Sequence, residues 1–186
     1  MSTNNAVVAV IGLDQPGIVG CVSSVLTELG CNIEEMNQST LHQQFAGIYL
    51  VNKPSTLDND ALTAALNKGA NAKRLHVTIT TRDFEEPLAS NCETEQFVIS
   101  VNGTDRNDII ATFANIFGAQ GINIDALRAF RVGEDASMQV FEVSIPVDLD
   151  TRTLHRVLLD RAKSMGLSLT MQHRAIFEAV HRIAVI

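Results

Sequence analysis

The chain has 186 residues, 46% of them hydrophobic, and a formal net charge of −7. This length holds one ordinary domain or two small ones, and the acidic balance, with no basic run to reverse it locally, speaks against direct contact with nucleic acid. The first residues, MSTNN, are polar and no apolar stretch approaches the ~18 to 20 residues that cross a bilayer, so a cytoplasmic protein with no membrane partner is expected.

In chain order, Val7 to Leu13 is a short strand rich in β-branched residues. Ile18, Val22, Val25, Leu26 and Leu29 then recur at helical spacing, and Gly30 stands where a left-handed helix cap is wanted. Between them lies DQPG. Pro16 suits the first turn of a helix, and Asp14 can accept from the open first-turn amides. CNIEEMNQSTL and FAGIYLVN are extended segments joined by the polar turn HQQ, which predicts a hairpin. Leu57, Leu62, Ala65 and Leu66 mark a second helix ending near Gly69. Leu75, Val77 and Ile79 alternate with His76, Thr78 and Thr80 as in a strand with one wet face.

The second half repeats the first. VVAVIGLDQPGIVGCVSSVLTELGCNIEEM lies over VISVNGTDRNDIIATFANIFGAQGINIDAL without a gap, so that Gly12 meets Gly103, Asp14 meets Asp105, and the Asn-Ile pair at Asn32 and Ile33 meets Asn123 and Ile124. A strand from Phe97 to Asn102 is expected, then a helix from Ile109 to Gln120 with Ile109, Phe113, Ile116 and Phe117 inward. A hairpin through VGEDAS, a helix around Leu154, Val157, Leu158 and Met165, and a strand alternating on Leu167, Leu169 and Met171 complete it. Each copy reads βαββαβ. The expected class is α+β: two tandem ferredoxin-like domains, each with its helices on one face of a four-stranded antiparallel sheet. The boundaries are 5–82 for the first, 83–94 for an acidic solvated linker, and 95–186 for the second with a helical extension. Domains this small bury a limited share of their surface and leave sheet edges open, so a homodimer is expected.

The stretch GLDQPGIVG has the outline of a phosphate loop without its chemistry. A P-loop needs lysine and a hydroxyl after its second glycine; Ile18 and Val19 stand there, and the dinucleotide pattern G-x-G-x-x-G is absent. The helix amino terminus still favours a small anion such as a carboxylate, and Asp14 supplies the opposite sign beside it. Together these suit an amino-acid zwitterion. The alternative at this stage is structural: Asp14 caps the helix and Gly17 permits a tight turn.

DQPGIVG, followed by LGCNIEEM and FAGIYLV, resembles the ACT domain, in which the loop before the first helix and the start of the second strand form an amino-acid site, often across a domain interface. The resemblance covers nearly the whole chain as two tandem copies, as in the glycine cleavage system transcriptional repressors. It implies a ligand site at Asp14, Gln15, Pro16, Gly17 and Ile18 with Asn32 and Ile33. In the second copy it implies Asp105, Arg106, Asn107, Asn123 and Ile124, although Asn107 and Asp108 replace Pro16 and Gly17 and an acidic residue would repel an anion. The ending MQHRAIFEAVHRI resembles the terminal helix of short ACT proteins, with an apolar stripe of Ile176, Phe177, Val180 and Ile183 for packing or dimer contact.

No catalytic residues are expected. The five histidines show no zinc spacing, and Ser23 and Ser24 sit on a helix rather than in a nucleophile elbow. The three cysteines, Cys21, Cys31 and Cys92, form no paired motif; reduced thiols are expected, and neither metal nor cofactor. An RNA-binding reading is weakened by 5% aromatics, with Phe45 and Tyr49 read as core or interface. The expected role is regulatory: sensing a small amino acid and modulating a partner, a DNA-binding regulator of glycine or one-carbon metabolism if the resemblance holds that far. The alternative is an interaction module with a vestigial site, and behind it a small enzyme or a metal- or RNA-binding protein of the same fold.

Overall fold

The computed structural model describes residues 3–85 and 92–177. The chain divides into two compact units, 1–88 and 89–186. Unit 1 contains β1 (Thr3–Leu13), α1 (Ile18–Glu28), β2 (Asn32–Leu41), β3 (Gln44–Pro54), α2 (Asn59–Ala72) and β4 (Val77–Asp83). Unit 2 repeats this as β5 (Thr94–Thr104), α3 (Ile109–Ala119), β6 (Asn123–Val132), β7 (Ala136–Pro146), α4 (Thr151–Ser164) and β8 (Ser168–His173). Each sheet is antiparallel, ordered β2-β3-β1-β4 and β6-β7-β5-β8. This is the ferredoxin-like arrangement twice over.

The first strands begin earlier than the apolar pattern shows. Polar Thr3 and Asn4 pair with Pro54 and Lys53 because the central β3 is long enough to recruit them. The β2–β3 turn needs only two residues, His42 and Gln43, both at positive φ (46° and 62°), the backbone that joins twisted strands tightly. Helix α1 ends as Gly30 predicts: Gly30 has φ 70°, its N–H donates to the Thr27 carbonyl, and the Cys31 N–H reaches back to Leu26.

One sequence expectation fails at the helix pairs. Gly69 does not end α2, which runs on to Ala72 with Arg74 taking the left-handed position at φ 56°. Gly69 is instead where the helices touch: a Cβ there would lie 2.7 Å from Val25 Cγ2. At the same place after its N-cap aspartate, α4 has Arg161. There α3 and α4 scarcely meet, while α1 and α2 pack closely. Val157, one of the four residues that mark α4 in the sequence, is 48% exposed. The inward stripe of α4 is Leu154, Leu158 and Ala162, and Val157 borders a shallow groove with Ile116 and Leu149.

Ala6, Val8 and Val10 meet Val22, Leu26, Leu62 and Leu66 in the core of unit 1. Phe45 and Tyr49 are buried in it, as core rather than a nucleic-acid platform. In unit 2, Phe113 and Phe117 close on Phe141, with ring centres 6.4 and 5.4 Å away. Residues 174–177 form a helical turn after β8, where Arg174 donates to Gln96 at 3.0 Å. Val180 and Ile183 of the expected stripe, and residues 86–91 of the expected linker, lie outside the described residues. No helix among the described residues is long and apolar enough to cross a membrane.

Candidate functional site

The loop after β1 is fastened by its backbone. Leu13 N–H donates to the His76 carbonyl at 3.0 Å and Asp14 N–H to the Gln43 carbonyl at 2.8 Å; Gln15 Nε2 reaches the Arg74 carbonyl at 3.5 Å. Gly17 is the N-cap of α1 at φ 101°, a backbone that side chains resist, and nothing lies within 4 Å of where its Cβ would be. Conformation, not crowding, calls for glycine here. Pro16 therefore sits in the turn before the helix rather than in its first turn, and no side-chain cap bond is made at this end, so Asp14 does not cap α1. The first helical bond is Cys21 N–H to Gly17. The amides of Ile18, Val19 and Gly20 have no acceptor among the described residues, and the exposed Asp14 carboxylate has no hydrogen-bond or ion partner there. Ile18 contributes its amide only, since its side chain is buried in the core.

Unit 2 keeps the backbone and changes the charges. Asp105 N–H donates to the Asp135 carbonyl at 2.8 Å, the counterpart of the Asp14 bond. Asp108 takes the N-cap place of Gly17 at φ −100°. Its carboxylate does not cap; it accepts from Arg106 Nε at 2.9 Å and Nη2 at 2.8 Å. That two-pronged bond holds the Asp108 carboxyl below the usual carboxylate range and raises the guanidinium. Asp105 is also engaged, with Arg131 Nη2 at 3.3 Å. Asn107 is exposed. The repulsion expected from Asp108 is thus largely neutralised by its neighbour.

Within one unit the two halves of the expected site stand apart. Asn32 pairs with Asn52, which pairs with Asn5, whereas the loop leaves the sheet at Leu13, paired with Gln44. From Asn5 to Leu13 the strand rises roughly 26 Å. The same separation holds for Asn123 and Ile124 against Asp105 to Asn107, since Asn123 pairs with Ser144 and Thr104 with Ala136. Both Asn-Ile pairs run into a β-bulge, at Glu34 and at Asp125. Asp125 there accepts from Asn123 Nδ2 at 2.7 Å and Ser144 Oγ at 2.6 Å.

Tyr49, expected as core or interface, is buried, whereas Ser137 and Gln139 escaped the sequence pattern. Tyr49 Oη has no partner among the described residues, and burial raises its pKa. Ser137 and Gln139, 3% and 4% exposed, sit on the helix-covered face of β7; Gln139 Nε2 donates to Ser137 Oγ at 2.8 Å, and Gln139 Oε1 is unpartnered. VGEDAS had suggested that Ser137 belongs to the turn. It lies in the strand, because β7 starts at Ala136, and its parity with Phe141 and Val143 is the signal that could have found it. No group of three or more His, Cys, Asp or Glu residues among those described could hold a metal. Burial raises the Cys31 thiol, with Lys53 acting in the opposite sense.

Comparison with known proteins gives the family context. A model of the ACT domain matches residues 4–80. A UPF0237 protein of Methanopyrus kandleri is 54% identical over 46 residues, 25% of this chain and 51% of that protein. The chain thus spans about half the length of that relative. A UPF0237 protein of Clostridium acetobutylicum is 33% identical over 79 residues, 42% of this chain and 86% of its own. Among solved structures, a protein of unknown function from Galdieria sulphuraria superposes with TM-score 0.70 at 22% identity over 92% of this chain and 99% of its own. One described as a candidate glycine cleavage system transcriptional repressor gives 0.66 at 14% identity over 92% and 98%. At those identities the likeness shows the fold.

Proposed function

Since the chain belongs to the ACT-domain family, with UPF0237 proteins as relatives, we propose that it is a non-catalytic regulatory protein that binds a small amino acid and passes the result to a partner protein. The observation that carries this is the β1–α1 loop of unit 1. Three first-turn amides at the helix amino terminus have no acceptor among the described residues, and the exposed carboxylate of Asp14 in the loop before it has no partner there. Amides and helix dipole suit the ligand carboxylate, and Asp14 suits its ammonium. Asp14, Gln15, Pro16, Gly17 and the Ile18 amide form this half. The roughly 26 Å to Asn32 and Ile33 means that a ligand touching both halves must lie between two copies of the domain. Such a site would couple occupancy to domain arrangement, with a coupling of about 1–3 kcal/mol changing partner affinity some 5- to 150-fold. The acidic chain makes a DNA-binding protein, rather than DNA, the partner of a transcriptional role, in keeping with the repressor-like structural neighbour.

Thermal-shift titration against the twenty amino acids tests this. A ligand at 100 times its dissociation constant stabilises by about 2.7 kcal/mol. Asp14→Ala is expected to abolish the shift while moving stability by no more than about 0.5 kcal/mol, because Asp14 makes no cap bond. No shift with any amino acid would favour the interaction-module alternative.

A further inference from the structure

The helix-free face of the first sheet carries its charges in a pattern. Ala6, Val8 and Val10 belong to the core, so Val7, Ala9 and Ile11 lie on the other face. Across the four strands Glu35 pairs with Leu50, Leu50 with Val7 and Val7 with Arg82, so one row runs acidic, aliphatic, aliphatic, basic from edge to edge. The next rows set Ile48 beside Ala9 and Ala46 beside Ile11, with uncharged polar residues at both edges. Ile11 and Ile48 are 60% and 58% exposed although they stand mid-sheet. Glu35 and Arg82 are exposed and make no ion pair among the described residues. An apolar patch with a polar rim marks a contact surface.

The order of the charges selects the occupant. Sheets that pack face to face lie about 10 Å apart with their strands nearly aligned. A second copy of this face, turned over about a two-fold axis parallel to the strands, sets its β2 above β4 and keeps each row level. Glu35 of each copy then meets Arg82 of the other, Leu50 meets Val7, and Ile48 meets Ala9. A two-fold axis across the strands sets each edge over itself, and Glu35 never reaches Arg82. The helix-free face of unit 2 lacks this self-complementarity. Its corresponding row is Ala126, Glu142, Val98 and Gln172, with neither edge charged and the acid near the middle, where Arg174 Nη1 lies 3.9 Å away. Ser100 and Asn102 stand there in place of Ala9 and Ile11.

We infer that the chain pairs with a second copy of itself through the helix-free face of unit 1, with Glu35 and Arg82 as reciprocal ion pairs at the rim. Four strands at about 4.8 Å spacing and the seven residues of β4 give a face of roughly 19 by 23 Å. Such a contact is near the lower bound of roughly 1,000 Å² for a specific interface, so reversible pairing at micromolar concentration is expected. The same axis keeps like ends of the sheets together, so Asn32 of neither copy is brought to the loop of the other. The inference is therefore separate from the amino-acid reading.

Sedimentation equilibrium of the full chain, with Glu35→Arg, Arg82→Glu, the double reversal and Ile48→Asp, tests it. The unaltered chain is expected to move between 20.2 kDa and twice that mass with concentration. Each single reversal sets like charges together at two symmetric places and should weaken pairing by about tenfold or more. The double reversal restores the pairs in mirror order and should return the dissociation constant to within about threefold of the parent. Ile48→Asp should abolish pairing while circular dichroism shows an unchanged fold, because Ile48 lies outside the core. A parent that stays monomeric to about 100 μM gives the face to another occupant and overturns the inference. Pairing indifferent to the reversals, or a double variant as weak as the singles, places the contact elsewhere and also overturns it. None of these outcomes bears on amino-acid binding, and failure to bind an amino acid leaves the pairing standing.

Discussion

Units 1 and 2 share a fold down to the hydrogen bond that pins each loop, yet differ in the charges at the helix that follows. Asp14 stands without a partner and Gly17 leaves the amino terminus of α1 open; Asp105 and Asp108 are each engaged by an arginine. The backbone of the loop is therefore set by the fold, and its electrostatics are free to diverge. A duplicated domain can keep one frame and present two surfaces for ligands.

The helix pairs carry the largest expected contrast between the units. Gly69→Arg, copying Arg161 into unit 1, drives a long side chain into Val25, and a loss of about 1–3 kcal/mol is expected. The reciprocal Arg161→Gly meets no such contact and should cost about 1 kcal/mol through helix propensity alone. Chemical denaturation of the two variants checks the asymmetry, and equal losses would remove it. A smaller contrast lies at the N-caps. Gly17→Ala forces a side chain into φ 101° and should cost about 1–2 kcal/mol. Asp108→Gly, at φ −100°, relieves nothing and should cost a few tenths of that scale.

The smallest effect is in pH. The Asp108 carboxyl is held low in the folded protein by Arg106, so its contribution is complete above the ordinary carboxylate pKa. It is lost as pH falls through that value toward the depressed one. Arg106→Ala should flatten the acid side of the stability profile below about pH 4, and only by the modest amount that an exposed pair supports. Among the described residues, unit 1 has no counterpart pair at its loop.

The fold was legible because its signals are local and repeated: alternation in β4, helical spacing from Ile18 to Leu29, and a glycine cap at Gly30. The in-register duplication let each copy check the other. Helix ends and packing were less visible. Gly69 looks like a stop until the neighbouring helix is seen against it, and Val157 shares the apolar spacing of α4 yet borders a groove. At the site, the loop residues could be picked out, but not the bonds they make or lack. Asp14 could as well have been a cap, and only the geometry shows Gly17 in that role. Asn32 looks like a neighbour of the loop in a linear motif, while the register puts the length of a strand between them. Ser137 and Gln139 were hidden because polar residues at inward positions read as turn or surface until the strand boundary is known.

In the proposed function, the amino terminus of α1 receives an amino-acid carboxylate. Backbone amide resonances recorded during titration with the amino acid that gives the largest thermal shift test it most directly. Saturable shifts are expected at Ile18, Val19 and Gly20, absent in Asp14→Ala. Saturable binding that leaves those three amides unmoved would contradict it.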